Sequence, residues 1–135
     1  MPPFARAVAV LLTFLATLGG LAACSSGTAA VTNVAASDAA DVLARPDVTV
    51  IDVRTSAEFA SGHLADAVNL DIEGSTFDHE LEALPRDDTY VVYCHSGNRS
   101  GVATDAMASL GFTKVFDLQG GITQWQSSGG AIVTS

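Results

Sequence analysis

Positive charge is scarce in this chain. Five arginines and one lysine stand against fifteen carboxylates among 135 residues, for a formal net charge of −9. So few cations cannot build the basic face that a phosphate backbone requires, which argues against nucleic acid as a partner. Cysteine is scarcer still, with Cys24 and Cys94 alone. That number excludes a disulfide-stapled scaffold. The three histidines, His63, His79 and His95, are far apart and have no paired cysteines to join, so no metal site is expected. Neither a Gly-x-Gly-x-x-Gly turn nor a P-loop occurs, and no cofactor is expected. What remains is 48% hydrophobic residues with 16% charged, enough for one packed domain and unlike a disordered chain.

Long apolar runs are also missing, with one exception. Ala7 to Leu18 is apolar, follows Arg6 and precedes the small residues Gly19, Gly20, Ala22 and Ala23. The run is short against the ~20 residues of a spanning helix and fits a three-part secretory leader over residues 1–23. Leu21-Ala22-Ala23-Cys24 resembles the lipobox of bacterial lipoproteins. The resemblance implies that Cys24 becomes the lipidated first residue, anchored in the bacterial cell membrane and facing its extracytoplasmic side. Residues 24–30 then form the anchor and a small, polar, flexible tether. Without Arg6 the net charge becomes about −10 by the same count. With Cys24 lipidated, Cys94 has no intrachain partner; the alternatives are an unmodified Cys24 or a Cys24–Cys94 disulfide.

From Val31 onward, strand-like and helix-like segments alternate. Strands are expected at Val31–Val34, Val48–Asp52, Ala67–Leu70, Thr89–Tyr93 and Lys114–Leu118, with β-branched and apolar residues strongest at Val48–Asp52 and Thr89–Tyr93. Helices are expected at Ala39–Ala44, Thr55–Ala60, Thr76–Leu84, Ser100–Leu110 and Ile122–Gln126. Thr55 with Glu58 reads as a capping box, and Val102, Ala103, Ala106, Met107 and Leu110 as an apolar helix face. The domain is expected over residues 31–130, with a tail at 131–135. Alternation of this kind predicts an α/β fold with a parallel sheet covered on both faces. Ligands in such sheets sit at the carboxyl ends of the strands.

Cys94 occupies that place. It ends the most continuous strand, and Cys94-His95-Ser96-Gly97-Asn98-Arg99-Ser100 leads into a helix. A thiolate is favoured near positive charge and near helix N-termini. Gly97 allows the chain to curl, so that successive backbone N–H groups form an anion-binding nest. Ser100 is positioned to cap the helix, and Arg99 adds a cation of undecided direction. The constellation suits a sulfur that must carry or pass negative charge.

The loop resembles the active loop of single-domain rhodanese sulfurtransferases. Asp52-Val53-Arg54 with Glu58-Phe59, Gly62 to Leu70, and Gly120-Gly121-Ile122 with Trp125 are similar to three further landmarks of that family, in the family's order. The resemblance implies a three-layer α/β/α fold with a five-stranded parallel sheet. It implies that Cys94 accepts sulfane sulfur from a small donor such as thiosulfate and passes it to a thiol or cyanide-like acceptor. The N–H groups from His95 to Arg99 would stabilise the persulfide anion, as an oxyanion hole stabilises oxygen. From Cys94 to Arg99 the loop has six residues. Related phosphatases use one more, which surrounds a tetrahedral oxyanion; the shorter loop better fits one sulfur atom.

Asp52 and Arg54 read as structural residues beside the site, with an Arg54–Glu58 pair as one way of fixing the neighbouring loop. His63 reads as a loop histidine bonded to backbone, His79 and the acids Asp78, Glu80, Glu82, Asp87 and Asp88 as a solvated face. Trp125, Phe112 and Phe116 read as core. His95 either assists the thiolate or borders the entrance. A reading of a different class keeps the loop and drops the turnover: a membrane-tethered binding or redox-sensing module, because an exported low-pKa thiol oxidises easily.

Overall fold

The computed structural model describes residues 30–135. The leader and the lipidated Cys24 expected from the sequence lie outside the described residues. Ten elements alternate from the start: β1 (Val31–Ala35), α1 (Ala39–Leu43), β2 (Val48–Asp52), α2 (Ser56–Ser61), β3 (Val68–Asn69), α3 (Phe77–Glu82), β4 (Thr89–Tyr93), α4 (Asn98–Ser109), β5 (Lys114–Gln119) and α5 (Gly121–Ser127). The five strands form one sheet in the order β1-β5-β4-β2-β3, and every pairing is parallel. This is the α/β/α architecture that the alternation and the resemblance both pointed to.

A parallel sheet must be covered on both faces, and the side-chain alternation of the strands divides the core accordingly. Ile51, Val53, Tyr90, Val92 and Val115 pack on one face with Phe77 and Leu81 of α3 and Ala103 and Met107 of α4. Val50, Val91, Tyr93 and Leu118 pack on the other with Ala39 of α1 and Ile122 of α5. Every residue of β4 is buried, and each large apolar side chain so buried contributes ~1.5–3 kcal/mol.

Connectivity decides where the crevice opens. β2 leads through α2 toward β3, on one side of the sheet. β4, its neighbour, leads through α4 to β5 on the other side. The outgoing loops of two adjacent parallel strands therefore diverge, and a space is left between their carboxyl ends. Those ends carry Asp52-Val53-Arg54 and Cys94.

Three details differ from the sequence reading. α4 begins at Asn98, with Gly97 at its N-cap in the left-handed region (φ 107°), so Ser100 lies inside the first turn and is not the cap. Its buried stripe is Ser100, Ala103, Thr104 and Met107, while Val102 is 63% and Leu110 37% exposed. The loop that starts the helix fixes its rotational phase, and that phase turns Ser100 inward at the expense of Val102. In the segment expected as a tail, Val133 forms an antiparallel bridge with His63, the two residues exchanging N–H···O bonds of 2.9 and 2.8 Å. Ile132 packs on the core, and the indole N–H of Trp125 donates to Ala131 O at 2.8 Å.

Helix α5 closes the cysteine loop from above. The N–H groups of Ile122 and Thr123 donate to Cys94 O at 2.9 Å and His95 O at 3.2 Å. Gly121 makes this approach possible. It sits at φ 60°, and a Cβ there would meet Cys94 O and come within 2.6 Å of the His95 carbonyl. We expect Gly121→Ala to cost about 3 kcal/mol, the sum of left-handed strain and a backbone clash. Gly129→Ala, at φ 88° with nothing within 4 Å, is expected to cost about 1 kcal/mol, the strain alone. Urea unfolding of both variants checks this; equal losses would show that α5 does not hold the loop by close backbone contact.

Candidate active site

Asp52 and Arg54 anchor the floor of the crevice. Both are buried. The carboxylate of Asp52 accepts the Arg54 N–H at 2.9 Å and the guanidinium through Nε at 3.0 Å and Nη2 at 2.6 Å. Nη2 also donates to Gly62 O at 2.7 Å. Asn69, unnoticed in the sequence reading, donates to Asp52 O at 3.0 Å and Arg54 O at 2.8 Å. Arg54 therefore pairs with Asp52, and the expected Arg54–Glu58 pair is not formed. Two residues apart at a strand end, Asp52 meets the guanidinium directly, while Glu58 is drawn elsewhere.

Glu58 works in two places. It completes the expected capping box, accepting the Thr55 N–H at 3.0 Å while its own N–H donates to Thr55 Oγ1 at 3.3 Å. Its carboxylate also takes Arg99 in a two-pronged pair, Nη1–Oε2 and Nη2–Oε1 both 2.8 Å. Glu73 adds a third contact to Arg99 at 3.4 Å. These partners hold the Glu58 carboxyl well below the usual range, chiefly through the Arg99 hydrogen bonds. The same pair raises Arg99 above its ordinary value. Arg99 thus ties the loop after β4 to the helix after β2, across the crevice.

Cys94 is 1% exposed and its thiol is free. The Gly97 N–H points at Sγ, 3.0 Å away. As a thiol, Cys94 donates to Ser100 Oγ at 3.7 Å, while the Ser100 hydroxyl donates to Gly97 O at 3.1 Å. As a thiolate it turns acceptor, and the Ser100 hydroxyl has a second place to donate. Burial pushes the thiol pKa up, but hydrogen bonds from Ser100, by its N–H and its hydroxyl, and from the Gly97 and Ser96 N–H groups outweigh it. The net shift is downward.

The fold brings Cys94, Ser96, Gly97 and Ser100 together around the sulfur. His95 and Asn98 are exposed at the rim. The Thr123 hydroxyl donates to His95 O at 2.9 Å, a contact the sequence signalled only through the Gly120-Gly121 pair. His63 stacks on Phe59, ring centroids 3.8 Å apart, with Nδ1 2.9 Å from Phe59 O, and is a backbone-bonded loop histidine. Asp117 of β5 was also missed. It is buried, burial raises its carboxyl pKa while Ser100 and Gln119 pull the other way, and its Oδ1 has no partner among the described residues. A cavity of about 380 Å³ borders the loop, lined among others by Glu58, Ser61, Gly62, His95, Ile122 and Ile132.

This arrangement stabilises negative charge on Sγ through oriented backbone N–H groups and the Ser100 hydroxyl, with Arg99 committed to carboxylates. A hydrogen bond to a charged acceptor contributes about 1.5 kcal/mol or more. Loss of the Ser100 hydroxyl should therefore raise the Cys94 pKa and slow its alkylation at neutral pH by about tenfold. A pH profile of iodoacetamide labelling should level off below the range of free cysteine in the unmutated protein and at higher pH in Ser100→Ala. Coincident profiles would exclude the hydroxyl as a source of the shift.

Comparison with known proteins agrees with the geometry. Residues 35–128 match the rhodanese-like domain family. The chain is 37% identical over 87 residues to a sulfurtransferase of Allochromatium vinosum, covering 64% of this chain and 79% of that one. It is 30% identical over 97 residues to the thiosulfate sulfurtransferase GlpE of Pseudomonas fluorescens, covering 71% and 86%. Among solved structures, a rhodanese-related protein of Thermoplasma volcanium superimposes with a TM-score of 0.68 at 32% identity, over 76% of this chain and 98% of that one. With a parallel sheet of five strands, a cysteine loop at the carboxyl end of β4 and this match, the chain belongs to the rhodanese-like domain family and has sulfurtransferases among its relatives.

Proposed function

We propose that the protein is a sulfurtransferase that moves sulfane sulfur through a persulfide on Cys94. The Cys94 thiolate attacks the outer sulfur of a donor, a new S–S bond forms at Sγ, and the donor's S–S bond breaks. The leaving group departs with the bonding electron pair, as sulfite if the donor is thiosulfate or as a thiolate if it is a persulfide. An acceptor thiolate or cyanide then attacks the terminal sulfur and releases Cys94 as a thiolate. The observation that carries this reading is the Gly97 N–H at 3.0 Å from Sγ, backed by the Ser96 and Ser100 N–H groups. Donors already aimed at sulfur need little rearrangement when charge arrives there. Relatives named thiosulfate sulfurtransferase support a sulfane donor.

We further propose that the protein is held by lipid on Cys24 at the extracytoplasmic face of a bacterial membrane. The support is Leu21-Ala22-Ala23-Cys24 and the small, polar residues after it. β1 starts at Val31, seven residues after Cys24, and Cys94 follows the carboxyl end of β4, the end of the parallel sheet opposite to the one at which β1 begins.

Intact-mass spectrometry tests the chemistry. The full chain in detergent, incubated with excess sulfane donor, should gain the mass of one sulfur atom and lose it on addition of cyanide. Cys94→Ser should gain nothing. An unmutated protein that stays at its starting mass with every donor tried would end the sulfur-transfer reading and favour the tethered sensing or binding module. Cell fractionation tests the anchor: Cys24→Ala should leave the membrane fraction, and a variant that stays there is held by something other than lipid on that residue.

A further inference from the structure

Charge beside Cys94 limits which sulfur compounds reach it. The two guanidinium groups of the crevice, Arg54 and Arg99, are both engaged. Arg54 is buried against Asp52. Arg99 is clasped by Glu58 through both nitrogens and touched by Glu73. Two cations therefore face three carboxylates, and one negative charge remains before the Cys94 thiolate is counted. The other basic side chains among the described residues are committed elsewhere. Arg45 pairs with Asp47. Arg86 donates to Leu84 O and Leu110 O, and Lys114 to Asp87 O; Lys114 opens β5, at the amino end of the sheet. No uncompensated cation borders the crevice among the described residues. The cavity beside the loop mixes Arg54, which Asp52 neutralises, with Glu58, His95 and the apolar walls of Ile122 and Ile132.

We infer that, if Cys94 transfers sulfur as proposed above, its donor is a sulfane-sulfur compound without net negative charge: a neutral or zwitterionic alkyl persulfide or polysulfide, with thiosulfate disfavoured. Thiosulfate brings two negative charges to a thiolate in an already negative surrounding, with no free cation to meet them. Like charges brought together suppress encounter and binding, and salt relieves that repulsion. An aminoalkyl persulfide carries its own ammonium group, which Glu73 and Glu58 attract, and its short alkyl chain suits the isoleucine walls. The bond changes stay balanced: Sγ bonds the outer sulfur, the donor S–S bond breaks, and the aminoalkyl thiolate leaves with the electron pair. Glu73 is the adjustable part. Its carboxylate is 62% exposed and makes the longest of the three contacts to Arg99, so its charge is available to an incoming donor.

The test compares loading of Cys94 by thiosulfate and by cysteamine persulfide, followed by mass on the full chain in detergent. With thiosulfate the rate should rise severalfold between low and moderate ionic strength. With the zwitterionic donor it should stay level or fall. Glu73→Gln should raise the thiosulfate-to-persulfide rate ratio severalfold. Asp87→Asn, which removes the same charge at the other end of the sheet, should leave that ratio within twofold. If both donors respond alike to salt, or if salt slows thiosulfate, the inference on donor charge is wrong while sulfur transfer stands. An unchanged ratio in Glu73→Gln, or equal changes in the two variants, overturns it too. If neither donor adds sulfur to Cys94, the sulfur-transfer reading fails and this inference falls with it.

Discussion

The crevice is organised around one constraint: a buried thiol whose pKa is held down must find its hydrogen-bond donors inside the protein. An uncompensated buried charge is expensive, and here the compensation comes from backbone N–H groups together with the Ser100 hydroxyl. The Gly97 N–H lies 3.0 Å from Sγ, with the Ser96 and Ser100 N–H groups beside it. Peptide dipoles point inward only while the loop stays curled, and a free loop would straighten and hydrate. Two helices prevent this. α4 starts on Gly97 and takes the far end of the loop as its first turn. α5 donates two N–H groups to the loop's outward carbonyls, which Gly121 permits by having no Cβ. The loop is thereby held from two directions, the Gly97 N–H by the sulfur and the Cys94 and His95 carbonyls by α5.

Ion pairs then hold the surroundings, and none of them hydrogen-bonds to the sulfur, although the Arg99 charge is felt there. The Asp52–Arg54 pair is buried, and its worth lies in completeness. Asp52 and Arg54 satisfy each other, Gly62 O takes one more guanidinium proton, and Asn69 takes the backbone carbonyls. Removing either partner would leave a charge stranded. The Glu58–Arg99 pair is about one-third exposed, so solvent screens it, and its main effect is positional. It joins the loop after β4 to the helix after β2, the two segments that topology sends apart. An arginine engaged in this way no longer serves as an anion receptor, so the same pair that braces the crevice also sets its charge.

Much of this was legible in the chain. Five strand-like runs alternating with helical segments led to a parallel sheet, because crossover helices cover such a sheet on both faces. Cys94 followed by Gly97 and a helix placed a thiol at a strand's carboxyl end. Other features were not legible, and each omission has a physical reason. Arg54 and Glu58 are close in sequence, which makes a pair between them one open arrangement. In the fold Arg54 turns back to Asp52 and Glu58 meets Arg99, a residue far along the chain. Glu73, Asn69, Thr123 and Asp117 carry no local signal, since a lone polar residue in a loop or strand looks the same whether or not the fold brings it to a site. Ser100 is buried and Val102 exposed, against expectation, because the phase of α4 is set where the helix begins, outside any periodic pattern.

The division follows from the range of the forces. Secondary-structure preference, capping, turn geometry and the apolar period are properties of neighbouring residues, so the sequence by itself determined the elements, their order and the position of the thiol. Which cation neutralises which carboxylate depends on distances across the sheet between segments tens of residues apart. Only the tertiary structure decided that Arg99 turns to Glu58 and Glu73, and that the sulfur takes its hydrogen bonds from N–H groups of the loop and from the Ser100 hydroxyl.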